Sequence, residues 1–117
     1  ALDVGQVMKV LNDSVPRDTI VTTDAGNFSI WLLRYRRYSR PGRLIAPING
    51  AMGYGVPAAI AASLAYPDRT VIGCVGDGGM LMTGMELATA IKYGAQPIII
   101  VFNNSKYGTI EMHQQRR

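Results

Sequence analysis

Two short polar clusters, Gly76-Asp77-Gly78-Gly79 and Asn103-Asn104, stand directly behind apolar runs. The runs are Val71-Ile72-Gly73-Cys74-Val75 and Ile98-Ile99-Ile100-Val101-Phe102. Such runs read as strands buried on both faces of a parallel sheet, and ligands of these sheets bind outside the carboxyl ends of the strands. A carboxylate bracketed by glycines at that place points into a crevice, and the glycines leave backbone N–H groups bare for phosphate or diphosphate oxygens. Asp77 by itself repels such an anion. A hard divalent cation between them removes the conflict, because Mg²⁺ takes oxygen ligands and is commonly shared between one or two protein groups and bound phosphates. Asp77 and the side-chain oxygen of Asn104 offer two oxygens, and a carbonyl in the following loop offers a third. Taken singly, a turn aspartate and a strand-end asparagine pair each have an ordinary structural explanation. Their placement at matching ends of two neighbouring strands favours a shared site.

Those strands need positioning elements, and the chain supplies an alternation of strands and helices. Residues 3–12 carry an approximate helical stripe of Val4, Val7, Met8, Val10 and Leu11, ended by Pro16. Thr19-Ile20-Val21-Thr22-Thr23 reads as a strand and Asp24-Ala25-Gly26-Asn27 as a turn, followed by a short helix through Trp31, Leu32 and Leu33. A basic loop runs to Pro41-Gly42, and Leu44-Ile45-Ala46 is a candidate short strand. The alanine-rich stretch 58–65 predicts a helix packed closely on a sheet, with Val56-Pro57 in its first turn. Thr83-Gly84-Met85-Glu86 has capping-box spacing and predicts a helix over 84–93 closed by Gly94. The 98–102 run is expected to be fully buried, and a turn through Tyr107-Gly108 opens a last helix. Together these predict an α/β fold: a three-layer, doubly wound parallel sheet with helices on both faces.

Bulk properties narrow the function classes. With 117 residues, 48% hydrophobic and 17% charged, the chain is one domain with a packed core. Thirteen glycines exceed the ordinary share of about 7%. No apolar run approaches the roughly 20 residues of a membrane span, and no signal peptide opens the chain, so no membrane role and a cytoplasmic setting are expected. The lone Cys74 reads as a buried, inert thiol. The chain begins at Ala1 and stops at Arg116-Arg117 after a polar stretch, which reads as a domain truncated at its C-terminal end within a longer polypeptide. The net charge of +4 is concentrated in Arg34, Arg36, Arg37, Arg40 and Arg43, interleaved with Tyr35 and Tyr38. That run raises an alternative, a module for nucleic acid or another anionic partner, but no nucleic-acid-binding signature accompanies it. Such a run is more often a solvated loop or a subunit contact.

The pattern Gly76-Asp77-Gly78, the intervening segment 79–102 and Asn103-Asn104 resembles the cofactor signature of thiamine-diphosphate-dependent enzymes, the decarboxylases and acetolactate (acetohydroxyacid) synthases. The resemblance implies thiamine diphosphate and Mg²⁺ as cofactors. It implies Asp77, Asn104 and the backbone oxygen of Lys106 as metal ligands, and Gly76, Gly78, Gly79, Asn104, Tyr107 and Gly108 around the diphosphate. A second segment, Gly50-Ala51-Met52-Gly53-Tyr54-Gly55-Val56-Pro57, resembles the one that bends the cofactor into a V. By it, Met52 wedges between the thiazolium and aminopyrimidine rings, and the Gly50 carbonyl receives the 4′-amino group. A weaker third match, Thr23-Asp24-Ala25-Gly26-Asn27-Phe28, places Asn27 at the diphosphate, although the family often has glutamine and histidine where Asn27 and Phe28 stand.

The resemblance further implies that the glutamate activating the pyrimidine lies on a separate pyrimidine-binding domain of the same or a partner subunit. No catalytic residue is then expected on this chain. Glu86 reads as a helix cap, while Glu111 and His113 stand where they can approach the substrate side, with a surface role favoured for His113. A small 2-oxo acid substrate, its decarboxylation or acyl transfer, and a dimer or tetramer are implied as well. Two other patterns fall short. Gly53-x-Gly55-x-x-Ala58 lacks the preceding buried strand and the ribose-binding acid of a dinucleotide site, and no Gly-Lys-Ser/Thr triplet makes a P-loop. A cofactor-binding remnant with a regulatory role stays open.

Overall fold

In the computed structural model, which describes residues 2–40 and 43–116, the alternation becomes one parallel sheet. Ala1, Arg117 and the Pro41-Gly42 end of the basic loop lie outside the described residues. Helix α1 (Val4–Ser14) is started by Asp3, whose carboxylate accepts from the N–H groups of Gly5 at 2.8 Å and Gln6 at 3.4 Å. Then follow β1 (Ile20–Thr23), α2 (Ser29–Tyr35), β2 (Arg43–Ile45), α3 (Gly55–Ala65) and β3 (Val71–Gly76). Helices α4 (Asp77–Thr83) and α5 (Leu87–Tyr93), β4 (Ile98–Phe102) and α6 (Gly108–Gln115) complete the described elements.

The strand order is β2-β1-β3-β4, and every pairing is parallel. The chain therefore steps outward from β1 to β2, returns across β1 to β3 and continues to β4. Right-handed crossovers made in opposite directions place their helices on opposite faces. Accordingly α1 and α2 cover one face, where Met8 and Leu32 pack on Val21, Ile72 and Cys74. On the other face Val56, Ala59, Ile60 and Ala62 of α3, with Ala90 of α5, pack on Ile20, Val71 and Val75. Gly73 permits the close approach of α3, since a Cβ there would stand 3.0 Å from that of Ala59. The reversal of direction leaves a crevice at the carboxyl ends of β1 and β3, and Asp24 and Asp77 follow those two ends.

Three local expectations are corrected. Strand β4 is not fully buried: Ile98 is 52% and Val101 42% exposed, because β4 is the sheet's edge and α5 packs against α3 instead of covering it. The helix expected over 84–93 begins earlier, at Asp77, and a 3₁₀ turn at Gly84–Glu86 interrupts it before α5. The capping box is not formed. Thr83 Oγ1 donates instead to the Gly53 carbonyl at 2.9 Å, and Glu86 accepts from Thr89 Oγ1 at 2.8 Å. Gly94 does close α5 in the left-handed region, at φ 72°. No helix among the described residues is long and apolar enough to cross a membrane.

Cys74 is a free, fully buried thiol, and burial pushes its pKa from 9.0 to about 12 against the opposing pull of Arg36. Burial likewise raises Tyr38 from 10.0 to about 12, again opposed by Arg36. Each group stays protonated when folded over a range in which the unfolded chain has lost that proton. Their contribution to stability is therefore complete below about pH 9 and is lost as the pH rises from there to about 12. The urea midpoint is expected to fall across that window, and Cys74→Ala should flatten the fall by the equivalent of about one proton. An unchanged slope in Cys74→Ala would contradict this assignment.

Candidate functional site

At the end of β1, Asp24 is 1% exposed. Its Oδ2 accepts from the Gly53 N–H at 3.0 Å, and its Oδ1 accepts from the Gly55 N–H. These bonds fasten the loop that carries Met52. Gly50 and Gly53 flank that methionine at φ 68° and 81°, a region costly for other residues. Further ties come from the Ala25 N–H to the Ala51 carbonyl at 3.2 Å and from Thr22 Oγ1 to the Gly55 carbonyl at 2.8 Å.

At the end of β3, Asp77 is the first residue of α4, whose first-turn N–H groups have no intrahelical acceptor. The two glycines after it meet different neighbours. A Cβ on Gly78 would stand 2.9 Å from the Met52 methyl and 2.5 Å from the Tyr107 ring, so both side chains lie over it. A Cβ on Gly79 would overlap the carboxylate of Asp24. Gly76 lies beneath Phe28, which stacks on Phe102 with ring centroids 5.1 Å apart.

At the end of β4, Asn103 and Asn104 shape the loop with their own side chains. Asn103 Oδ1 accepts from the Ser105 N–H at 2.9 Å and Asn104 Oδ1 from the Lys106 N–H at 3.1 Å. An amide oxygen has two lone pairs, so Asn104 keeps one acceptor position. Thr109 Oγ1 donates to Asn27 Oδ1 at 3.0 Å, which ties the start of α6 to the turn after β1. Lys106 Nζ lies 3.9 Å from Glu111 Oε2 in an exposed pair.

These three strand ends enclose a cleft of about 670 Å³. Among the expected site residues, Asn27, Met52, Gly76, Asp77, Gly78, Gly79, Asn104, Lys106, Tyr107 and Gly108 line it. Gly50 does not, and its positive φ serves the turn before Met52. Glu111 and His113 also stand outside the lining, both exposed on α6. The lining combines polar groups, Asp77, Asn104 and Lys106 with bare glycine backbone, and apolar ones, Val4, Val7 and Trp31. No group of three or more His, Cys, Asp or Glu side chains that could hold a metal occurs among the described residues. The lining side chains offer oxygen donors in the Asp77 carboxylate and the amide oxygens of Asn27, Asn103 and Asn104, hard ligands of the kind Mg²⁺ takes.

In the sequence Asp24 reads only as part of the entry turn Thr23–Phe28, and nothing marks Thr109. A signal for Asp24 was present: an acid closing a strand of β-branched residues, before Ala-Gly. Within the basic run Arg36 is 8% exposed, while Arg34, Arg37, Arg40 and Arg43 stay exposed. Arg36 Nη1 donates to Asn12 Oδ1 at 2.8 Å and to the Arg37 carbonyl at 2.7 Å, and its guanidinium lies over the Tyr38 ring.

Residues 24–117 match the family model described as "Thiamine pyrophosphate enzyme, C-terminal TPP binding domain". A probable acetolactate synthase large subunit of Methanocaldococcus jannaschii is 40% identical over 114 residues, covering 95% of this chain and 19% of that protein. Pyruvate oxidase of Lactiplantibacillus plantarum is 36% identical over 115 residues, covering 97% of this chain and 19% of that protein. Among solved structures, the thiamine diphosphate-dependent 4-hydroxybenzoylformate decarboxylase of Rhodococcus jostii RHA1 superposes with a TM-score of 0.89 at 32% identity. That match covers 98% of this chain and 22% of the decarboxylase chain. The chain thus spans about a fifth of the length of the relatives it matches.

Proposed function

The chain belongs to the thiamine pyrophosphate enzyme family, as its C-terminal cofactor-binding domain, and from that premise we propose that its cleft holds the diphosphate of thiamine diphosphate together with Mg²⁺. The observation that carries the reading is the convergence of Asp77, Asn104, Lys106 and the glycines 76, 78, 79 and 108 on one cleft at the switch point of the sheet. Asp77, the Asn104 amide oxygen and the Lys106 carbonyl hold Mg²⁺, whose charge offsets the repulsion between Asp77 and the diphosphate. The glycine backbone lets phosphate oxygens approach the chain without a side chain between them. Met52, which reaches over Gly78, would support the cofactor as the wedge between its two rings.

Bound there, thiamine diphosphate supplies the electron sink for cleavage beside a 2-oxo group. The chain would orient it in a cleft lined by the Phe28–Phe102 stack and Tyr107. A pyrimidine-binding domain of the same or a partner subunit supplies the activating glutamate, so the working protein is a longer, oligomeric enzyme, a dimer or tetramer. Its reaction is decarboxylation of a 2-oxo acid or transfer of the resulting acyl unit, in the manner of an acetolactate synthase. The names of the relatives support this class. CO₂ release by the assembled enzyme from a panel of 2-oxo acids, with thiamine diphosphate and Mg²⁺, tests it. Cofactor-dependent release is expected, and silence across aliphatic and aromatic 2-oxo acids would overturn the reaction class.

A further inference from the structure

Asp24 is a buried carboxylate that no part of the proposed chemistry uses. A charge removed from water is retained only where hydrogen bonds compensate its lost hydration. Its bonds go to two N–H groups, those of Gly53 and Gly55, on either side of Tyr54 and just beyond Met52. The surroundings are shaped to receive it. A Cβ on Gly79 would overlap Oδ2, and a Cβ on Gly55 would stand 3.0 Å from Oδ1. Two glycines from separate helices, α3 and α4, thus leave space for one carboxylate.

From this geometry we propose that Asp24 is a positioning residue: it clamps the 51–55 loop so that Met52 is presented over Gly78 at a fixed height in the cleft. Gly79 then serves to seat that carboxylate as well as to line the cleft. The inference rests on the cofactor reading only for its effect on turnover. The clamp itself concerns residues of this chain.

Asp24→Asn keeps the shape but offers an NH₂ to one of the two N–H donors, so one clamp bond is lost. The test uses the assembled enzyme, without cofactor, labelled at its methionine methyl groups with ¹³C, and Met52→Leu assigns the Met52 resonance. In Asp24→Asn the Met52 methyl is expected to shift or split, while that of Met8, fully buried between α1 and the sheet, stays in place. With cofactor, turnover is expected to fall by about a hundredfold, the cost of displacing a positioned group by about 1 Å. Gly79→Ala should give the same signature, and the double variant should be no worse than the poorer single, because both changes break one interaction.

An unmoved Met52 methyl in folded Asp24→Asn, or strictly additive losses in the double variant, would overturn the proposal. If the Met8 methyl moves too, Asp24→Asn has disturbed the core, and Gly79→Ala decides by the same criteria. Failure of the unaltered enzyme to bind thiamine diphosphate would sink the cofactor reading and leave the methyl readout of the clamp intact.

Discussion

Asp77→Ala is expected to abolish Mg²⁺-dependent binding of thiamine diphosphate while leaving the fold in place. The carboxylate is the only anionic side chain among the described residues lining the cleft, and on the proposed reading its loss removes a charged metal ligand. Losing a group that merely orients a ligand already costs about 10–100-fold in metal affinity, so removal of the ligand itself should exceed about 100-fold. Stability should change little. Asp77 is half-buried at the first position of α4, where a negative charge contributes about 0.3–1 kcal/mol to a helix start. Calorimetric titration of the variant enzyme with thiamine diphosphate in the presence of Mg²⁺ checks the first expectation, and a thermal melt checks the second. Unchanged affinity would remove Asp77 from the metal site.

Met52→Ala should damage turnover more than cofactor affinity. The Met52 methyl lies against Gly78 at the cleft wall, and its loop is fastened through Asp24, Ala25 and Thr83 by groups the substitution leaves untouched. The loop should therefore persist while the wedge between the rings disappears. Loss of one positioning contact predicts a fall in kcat of about a hundredfold at saturating cofactor. The apparent cofactor affinity should change much less, since the proposed diphosphate contacts are made by other residues. Normal kcat in this variant would refute the supporting role, whatever its effect on affinity.

The polar clusters at the ends of β3 and β4 can be read from the sequence because buried parallel strands write themselves as unbroken apolar runs. Where such a run stops at Asp77 or Asn103, a strand end is marked, and in this topology strand ends are where ligands go. The same logic fails for the exposure of β4. An apolar run reports what the residues prefer, and only the order of strands reveals that nothing covers Ile98 and Val101 among the described residues. The Thr83–Glu86 pattern misleads for a related reason. Its hydroxyl finds the Gly53 carbonyl, 30 positions away, and a local signature gives way to a tertiary partner. Asp24 is hidden more deeply, because its two donors lie 29 and 31 positions further along the chain. Gly78 and Gly79 look equivalent in sequence. One is covered by Met52 and Tyr107 and the other by Asp24, a difference only packing can create.

The most direct test is a calorimetric titration of the full-length enzyme carrying this chain with thiamine diphosphate, first with Mg²⁺ and then after addition of a chelator. Saturable binding that the chelator abolishes and restored Mg²⁺ recovers is the predicted result. Absence of binding in the presence of Mg²⁺, or binding indifferent to the chelator, would contradict the assignment of the cleft.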